Sequence, residues 1–190
     1  MNIVGLLLAA GSATRFGSDK LRHALPHGVP IAVQAARHLR AEVPRVLVVV
    51  RDRDGEAPFR AERCETAVCE NAAEGMGASL ACAVRAAGKD DAYIVALADM
   101  PFVRPSTIAA VREALERGAP LAAPYFHARR GHPVGIAGRY YEKLVALGGD
   151  EGARQLVSAD EAQLVKIPVG DPGVVRDIDR PEDLAPPIRT

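Results

Sequence analysis

Tryptophan is absent from the 190 residues and aromatic residues make up only 4%, which argues against a base-stacking platform for single-stranded nucleic acid. Neither charge sign is in excess, since 24 Lys and Arg balance 24 Asp and Glu. A duplex-binding or membrane-surface protein needs basic residues to neutralise phosphates, so neither partner is expected. Cysteine is scarce. Cys64, Cys69 and Cys82 are odd in number and form no C-x-x-C or Cys/His pattern, which excludes a disulfide framework and a zinc site of ordinary spacing. They read as small, partly buried, reduced thiols of a cytoplasmic protein. No apolar run approaches the ~18–20 residues needed to span a bilayer. The apolar start from Met1 to Ala10 is short and lacks a basic flank, so it reads as a first buried strand rather than a signal.

What is present is ordinary globular composition, 48% hydrophobic and 25% charged. A chain of this length can bury roughly 70% of its unfolded surface, and one domain over residues 1–190 is expected. Short apolar runs occur at Ile3–Leu8, Val46–Val50, Thr66–Cys69, Tyr93–Ala98 and Leu121–Pro124. Several do not alternate, as strands buried on both faces should not. Between them, Pro30–Ala41, Ser79–Ala87 and Pro105–Arg117 carry apolar residues at helical spacing. Pro105 suits a helix start and Gly118 its end. This order predicts an α/β fold, a three-layer α/β/α sandwich around a mostly parallel sheet. Ligands then belong beyond the carboxyl ends of the strands.

The first such end is Leu8-Ala9-Ala10-Gly11-Ser12-Ala13-Thr14-Arg15-Phe16-Gly17-Ser18-Asp19-Lys20. Small residues with free N–H groups can wrap a phosphate, and Arg15 and Lys20 supply fixed positive charge. Neither the P-loop nor the dinucleotide fingerprint fits, because Gly17 is followed by Ser18-Asp19 and Gly11 by Ser12-Ala13. A plain connection with solvated Arg and Lys is the alternative.

A second loop, Cys69 to Ser79, contains Gly75-Met76-Gly77 and runs from a strand into a helix. Its backbone can bracket a nucleobase, or Ser79 can simply cap the helix. Asp99 ends the apolar run Tyr93–Ala98. A carboxylate there is poorly suited to burial without a cation or hydrogen-bond donors. A hard cation such as Mg²⁺, held by one or two carboxylates with substrate phosphates, satisfies it. On an extended Asp177-Ile178-Asp179 both carboxylates project to one face, where one can complete a metal site opposite Asp99. A turn aspartate before Pro101 and a surface acidic cluster are the plainer readings.

Leu8-Ala9-Ala10-Gly11-Ser12-x-x-Arg15-Phe16-Gly17-x-x-Lys20 resembles the signature loop of nucleotidyltransferases with a glycosyltransferase-A-like fold, the nucleotide-diphospho-sugar transferase type. Within that group it looks most like molybdenum cofactor cytidylyltransferases; guanylyltransferase relatives carry Ala-Gly-Gly where this chain has Ala9-Ala10-Gly11. Four further segments follow the family in order: the Gly75-Met76-Gly77-Ala78-Ser79 loop, Ala98-Asp99-Met100-Pro101, Gly131-His132-Pro133-Val134-Gly135, and Asp177-Ile178-Asp179-Arg180-Pro181-Glu182-Asp183-Leu184. Gly149-Asp150-Glu151-Gly152-Ala153-Arg154 is also similar, or else an N-capped helix with an Asp150–Arg154 pair.

The resemblance implies that Leu8, Ala9, Ala10, Gly11, Ser12, Gly75, Met76, Gly77 and Ser79 enclose the nucleotide. It implies that Arg15 and Lys20 contact its phosphates and that Asp99 binds Mg²⁺, with Asp179 its second carboxylate and Asp177 less well aligned. His132 and Pro133 fall on the acceptor side, and Arg154 joins them. The implied reaction is attack by a terminal phosphate of molybdopterin on the α-phosphorus of CTP, releasing pyrophosphate. GTP or another phosphorylated acceptor is the neighbouring alternative, and a non-catalytic maturation factor for a molybdenum hydroxylase is the distant one.

Overall fold

The computed structural model describes residues 1–11, 20–150 and 152–185. Eight strands are found among them: β1 (Ile3–Leu8), β2 (Arg45–Val50), β3 (Glu65–Val68), β4 (Ala92–Leu97), β5 (Leu121–Phe126), β6 (Arg129–Arg130), β7 (Val134–Ala137) and β8 (Leu164–Pro168). They form one sheet of order β3-β2-β1-β4-β7-β5-β6, with β8 paired to β5. The β3, β2, β1 and β4 block is parallel, as is the β5–β8 pair. Strand β7 runs antiparallel to both β4 and β5. The sheet is therefore mixed, with its parallel block running from the β3 edge inward to β4.

All six residues of β1 are buried, because helices cover both faces. Successive side chains alternate. Leu7 packs with Val48, Ile94, Leu39 and Leu115 on one face, while Leu6 and Leu8 pack with Val49, Tyr93, Leu80 and Leu144 on the other. The first layer comes from α1 (Ile31–Glu42) and, after the short α2 (Ala57–Ala61), the opposite layer begins with α3 (Met76–Ala87). Helix α4 (Pro105–Glu116) joins α1, and α5 (Tyr141–Val145) and α6 (Gly152–Ala159) join α3. Leu39 of α1 is fully buried; its truncation to Ala would cost about 2–5 kcal/mol.

The five strands expected from apolar runs are present, with starts shifted by a residue at most and β5 two residues longer. Three further strands left no such signal. β7 is four residues of small and branched side chains, β6 is two arginines, and β8 is a half-exposed edge without a continuous apolar run. One helix boundary needs correction. α3 begins at Met76, not Ser79, so Ser79 is not its cap. Gly75 takes that place, and the Ser79 hydroxyl donates back to the Gly75 carbonyl at 3.3 Å. Among the described residues no helix is long and apolar enough to cross a membrane.

Candidate active site

Strands β1 and β4 are in register from Ile3↔Ala92 to Leu8↔Leu97. Their carboxyl ends therefore lie level, and the residues that follow each strand emerge at one edge. A cleft of about 470 Å³ opens there. Leu8, Ala10, Gly11 and Lys20 line it from the first loop, Leu97 and Asp99 from β4, and Gly75, Met76 and Ser79 from the start of α3. Ser12 and Arg15 lie outside the described residues.

Two glycines of the α3 loop have a reason in the protein itself. Gly75 adopts φ +128°, and a Cβ there would strike the Asp150 carboxylate and the Gly149 backbone. Gly77 donates its N–H to the Gly149 carbonyl at 2.7 Å, and a Cβ on it would meet the Gly148 carbonyl at 2.5 Å. Gly77 is thus buried beneath the Gly148–Asp150 turn and does not line the cleft, contrary to its expected place around the nucleotide. The turn satisfies the helix N-terminus that Ser79 was expected to cap. Ala9 also differs from expectation: its N–H bonds the Val49 carbonyl at 2.9 Å, and it packs against the core.

The acidic residues converge. Asp99, Asp177 and Asp179 offer carboxylate oxygens that all lie within 4.8 Å of one another. Ile178 between the two aspartates is fully buried against Leu25 and Ile31, so the extended chain points its carboxylates the other way. Asp171 anchors the same carboxyl-terminal segment. Its buried carboxylate accepts from the Arg104 N–H at 2.9 Å, the Thr107 hydroxyl at 2.8 Å and the Gly173 N–H at 3.0 Å. This ties the segment to the start of α4, two residues beyond Phe102.

Lys20 supplies the cation that Asp99 calls for. Its Nζ lies 3.0 Å from Asp99 Oδ2 and 3.0 Å from Asp179 Oδ1. Burial works against the ammonium charge, but Asp99 and Asp179 outweigh it and hold the Lys20 pKa above its ordinary value. Three hard oxygen donors around one point fit a divalent cation of the Mg²⁺ or Mn²⁺ type.

The expected acceptor-side residues are not assembled on this cleft. His132 keeps partial exposure as a residue, yet its Nδ1 is sealed from solvent without a hydrogen-bond partner. Burial lowers its pKa to about 4, so the ring is neutral. With Pro133 it packs against Leu39, Ala96 and Val103 beside a small void. Its backbone N–H donates to the Val174 carbonyl at 2.8 Å, so it supports the carboxyl-terminal segment from behind. Arg154 is exposed on α6, and no ion pair joins it to Asp150 among the described residues; Asp150 instead lines the cleft. Arg51 was missed by sequence reasoning. It follows β2, lines the cleft and donates to the Ala10 carbonyl at 3.4 Å. The rule that ligands lie beyond strand carboxyl ends would have pointed to it.

A MobA-like NTP transferase domain model matches residues 5–165. The chain belongs to this family. Its fold is shared by Rv0371c of Mycobacterium tuberculosis H37Rv, 21% identical over 96% of this chain and 95% of that one at a TM-score of 0.80; Rv0371c has also been solved in complex with manganese. A Methanothermobacter nucleotidyl transferase, Mth528, is 23% identical over 95% and 93% of the chains at a TM-score of 0.78. In sequence the chain is similar to purine catabolism protein PucB of Bacillus subtilis, 29% identical and covering 95% of this chain and 93% of that protein. The protein is a nucleotidyltransferase of the MobA-like type, and its mixed sheet between helical layers is the three-layer sandwich of nucleotide-diphospho-sugar transferases.

Proposed function

We propose that this single-domain enzyme transfers CMP from CTP to molybdopterin carrying molybdenum, with Mg²⁺ and release of pyrophosphate. The observation that carries the reading is the meeting of Lys20 with Asp99 and Asp179 at the mouth of a cleft walled by Leu8, Ala10 and Gly11. A triphosphate needs positive charge, a metal seat and an approachable backbone at one place, and these residues bring them together. Asp99, Asp179 and Asp177 would hold Mg²⁺, which when bound neutralises charge on the phosphates. Manganese in the complex of Rv0371c is consistent with that donor set.

The protein's own work is positioning. Leu8, Ala10 and Gly11 shape one wall for the nucleotide, and Gly75, Met76 and Ser79 the other. Lys20, with Arg15 from the loop outside the described residues, stabilises charge as the acceptor phosphate attacks in line. No covalent intermediate on the enzyme is required. Ala10 stands where guanylyltransferase relatives carry glycine and lines the cleft, so the proposed preference is CTP over GTP, on the ground that a Cβ at this position leaves less room for a purine than for a pyrimidine. A molybdenum hydroxylase is the proposed recipient of the product, and the name of PucB, a purine catabolism protein, fits such a setting. The three free thiols support a reducing, cytoplasmic location.

A thermal-shift panel of CTP, GTP, ATP and UTP with Mg²⁺ tests the nucleotide reading. The largest rise in Tm is expected with CTP, since a ligand that binds only the folded state stabilises it by mass action. No shift with any of the four would refute it.

A further inference from the structure

The Lys20 ammonium sits against two of the three carboxylates that could hold a metal ion. It takes one oxygen of Asp99 and one of Asp179, each at 3.0 Å, and these carboxylates with Asp177 form the only metal-ligating cluster found among the described residues. The Lys20 side chain is 13% exposed and its Asp99 partner 25%, while Asp179 is half-exposed at 46%. Lysine is also suited to leaving. Its charge sits on a flexible four-carbon stem with three rotatable donors, and Lys20 lines the same cleft as the proposed nucleotide loop.

We infer that Lys20 holds the metal seat against free divalent cation, and that the metal enters together with a nucleoside triphosphate whose phosphates draw the ammonium away from Asp99 and Asp179. The inference rests on the site being a nucleotide and metal site, and adds the order in which it fills. Magnesium sheds its water reluctantly and is commonly held by one or two carboxylates together with substrate phosphates. With Lys20 in place, one positive charge offsets part of the negative charge of the carboxylates. Once the phosphates accept Lys20, that offset is removed and the carboxylates attract the metal more strongly. Metal and nucleotide then raise each other's affinity by the same factor, as linkage requires.

Removing the Lys20 charge should therefore move the two affinities in opposite directions, which a merely structural lysine would not do. The test is an EPR titration of Mn²⁺ into the full chain without nucleotide, for wild type, Lys20→Met and Lys20→Arg, with melting curves to establish that each folds. Lys20→Met is expected to bind free Mn²⁺ at least roughly tenfold more tightly than wild type, from loss of one like charge at close range, and CTP with Mg²⁺ more weakly. Lys20→Arg keeps the cation and should remain weak for free Mn²⁺. Unchanged or weaker Mn²⁺ binding in a folded Lys20→Met variant would overturn the inference. If the methionine variant does not fold, Lys20→Gln, which also removes the charge, is titrated in its place: tighter free Mn²⁺ binding than wild type supports the gate, and unchanged or weaker binding refutes it. Tight binding of free Mn²⁺ to wild type removes the gate but leaves the metal site standing, whereas no binding with or without CTP removes both.

Discussion

Ile178 donates its backbone N–H to the carbonyl oxygen of Asp99 at 2.9 Å. This one bond joins the end of the central strand β4 to the carboxyl-terminal segment, and so sets the Asp177 and Asp179 carboxylates beside that of Asp99. The Ile178 side chain, fully buried with Leu25 and Ile31, fixes which way the segment faces. A slip of one residue would turn the two aspartates into the apolar pocket and Ile178 toward the cleft.

Ile178→Ala should cost about 2–5 kcal/mol of stability through the cavity it leaves, read by urea unfolding. It should also weaken Mn²⁺ binding in the presence of CTP, because the segment that carries two of the three carboxylates loses its anchor. Full metal affinity in the folded variant would show that Asp171 alone is a sufficient anchor.

Asp99→Asn preserves shape but removes a charge from both the Lys20 pair and the metal seat. Turnover should fall by at least ~100-fold, the scale of losing one strong electrostatic contact in a preorganised site. Pyrophosphate release at saturating Mg²⁺ measures it. A folded variant with near-normal turnover would remove Asp99 from the metal site.

Ala10→Gly takes away the methyl group held to crowd a purine. The ratio of kcat/KM for CTP over GTP should narrow, by an amount equivalent to about 1–3 kcal/mol at most for a single methyl contact. An unchanged ratio would move base selection to the backbone of the Gly75–Ser79 loop.

His132 supplies a pH dependence of stability. Its folded pKa, about 4, lies below the ~6.5 of an exposed imidazole. Burial is the main cause, with Arg130 adding to the depression, while Val95 and Asp177 oppose it. The unfolded chain therefore takes up a proton that the folded one refuses. Stability is unaffected above pH ~6.5, is lost as pH falls toward about 4, and loses no more from this group below that, with a limiting slope of about 1.4 kcal/mol per pH unit. His132→Asn should flatten the upper part of that slope in urea titrations between pH ~6.5 and ~5, where most carboxylates remain ionised. An identical slope would mean that the imidazole is protonated in the folded protein.

Much of this was legible because buried parallel strands announce themselves as unbroken apolar runs, as in Ile3–Leu8 and Ala92–Leu97. The site was legible where chemistry forces a partner: Asp99 after such a run needed a cation, and the alternation of Asp177-Ile178-Asp179 set two carboxylates on one face. Contacts between distant backbones were not legible. Nothing in Gly75-Met76-Gly77 says that the Gly148–Asp150 turn packs on it, so Gly77 read as a nucleotide contact and Ser79 as a cap. His132 misled for a related reason. A histidine beside proline in a family motif gives no hint that its ring is buried against Leu39 and Val103. Edge strand β8 lacked an apolar run because one side of it faces solvent.

Pyrophosphate release is the decisive measurement, made with each of the four nucleoside triphosphates, Mg²⁺ and reduced molybdenum–molybdopterin as acceptor. Release should require both metal and acceptor and be fastest with CTP. Preference for GTP would overturn the cytidylyl assignment, and no release from any triphosphate by the folded protein would contradict the proposed transfer to molybdopterin.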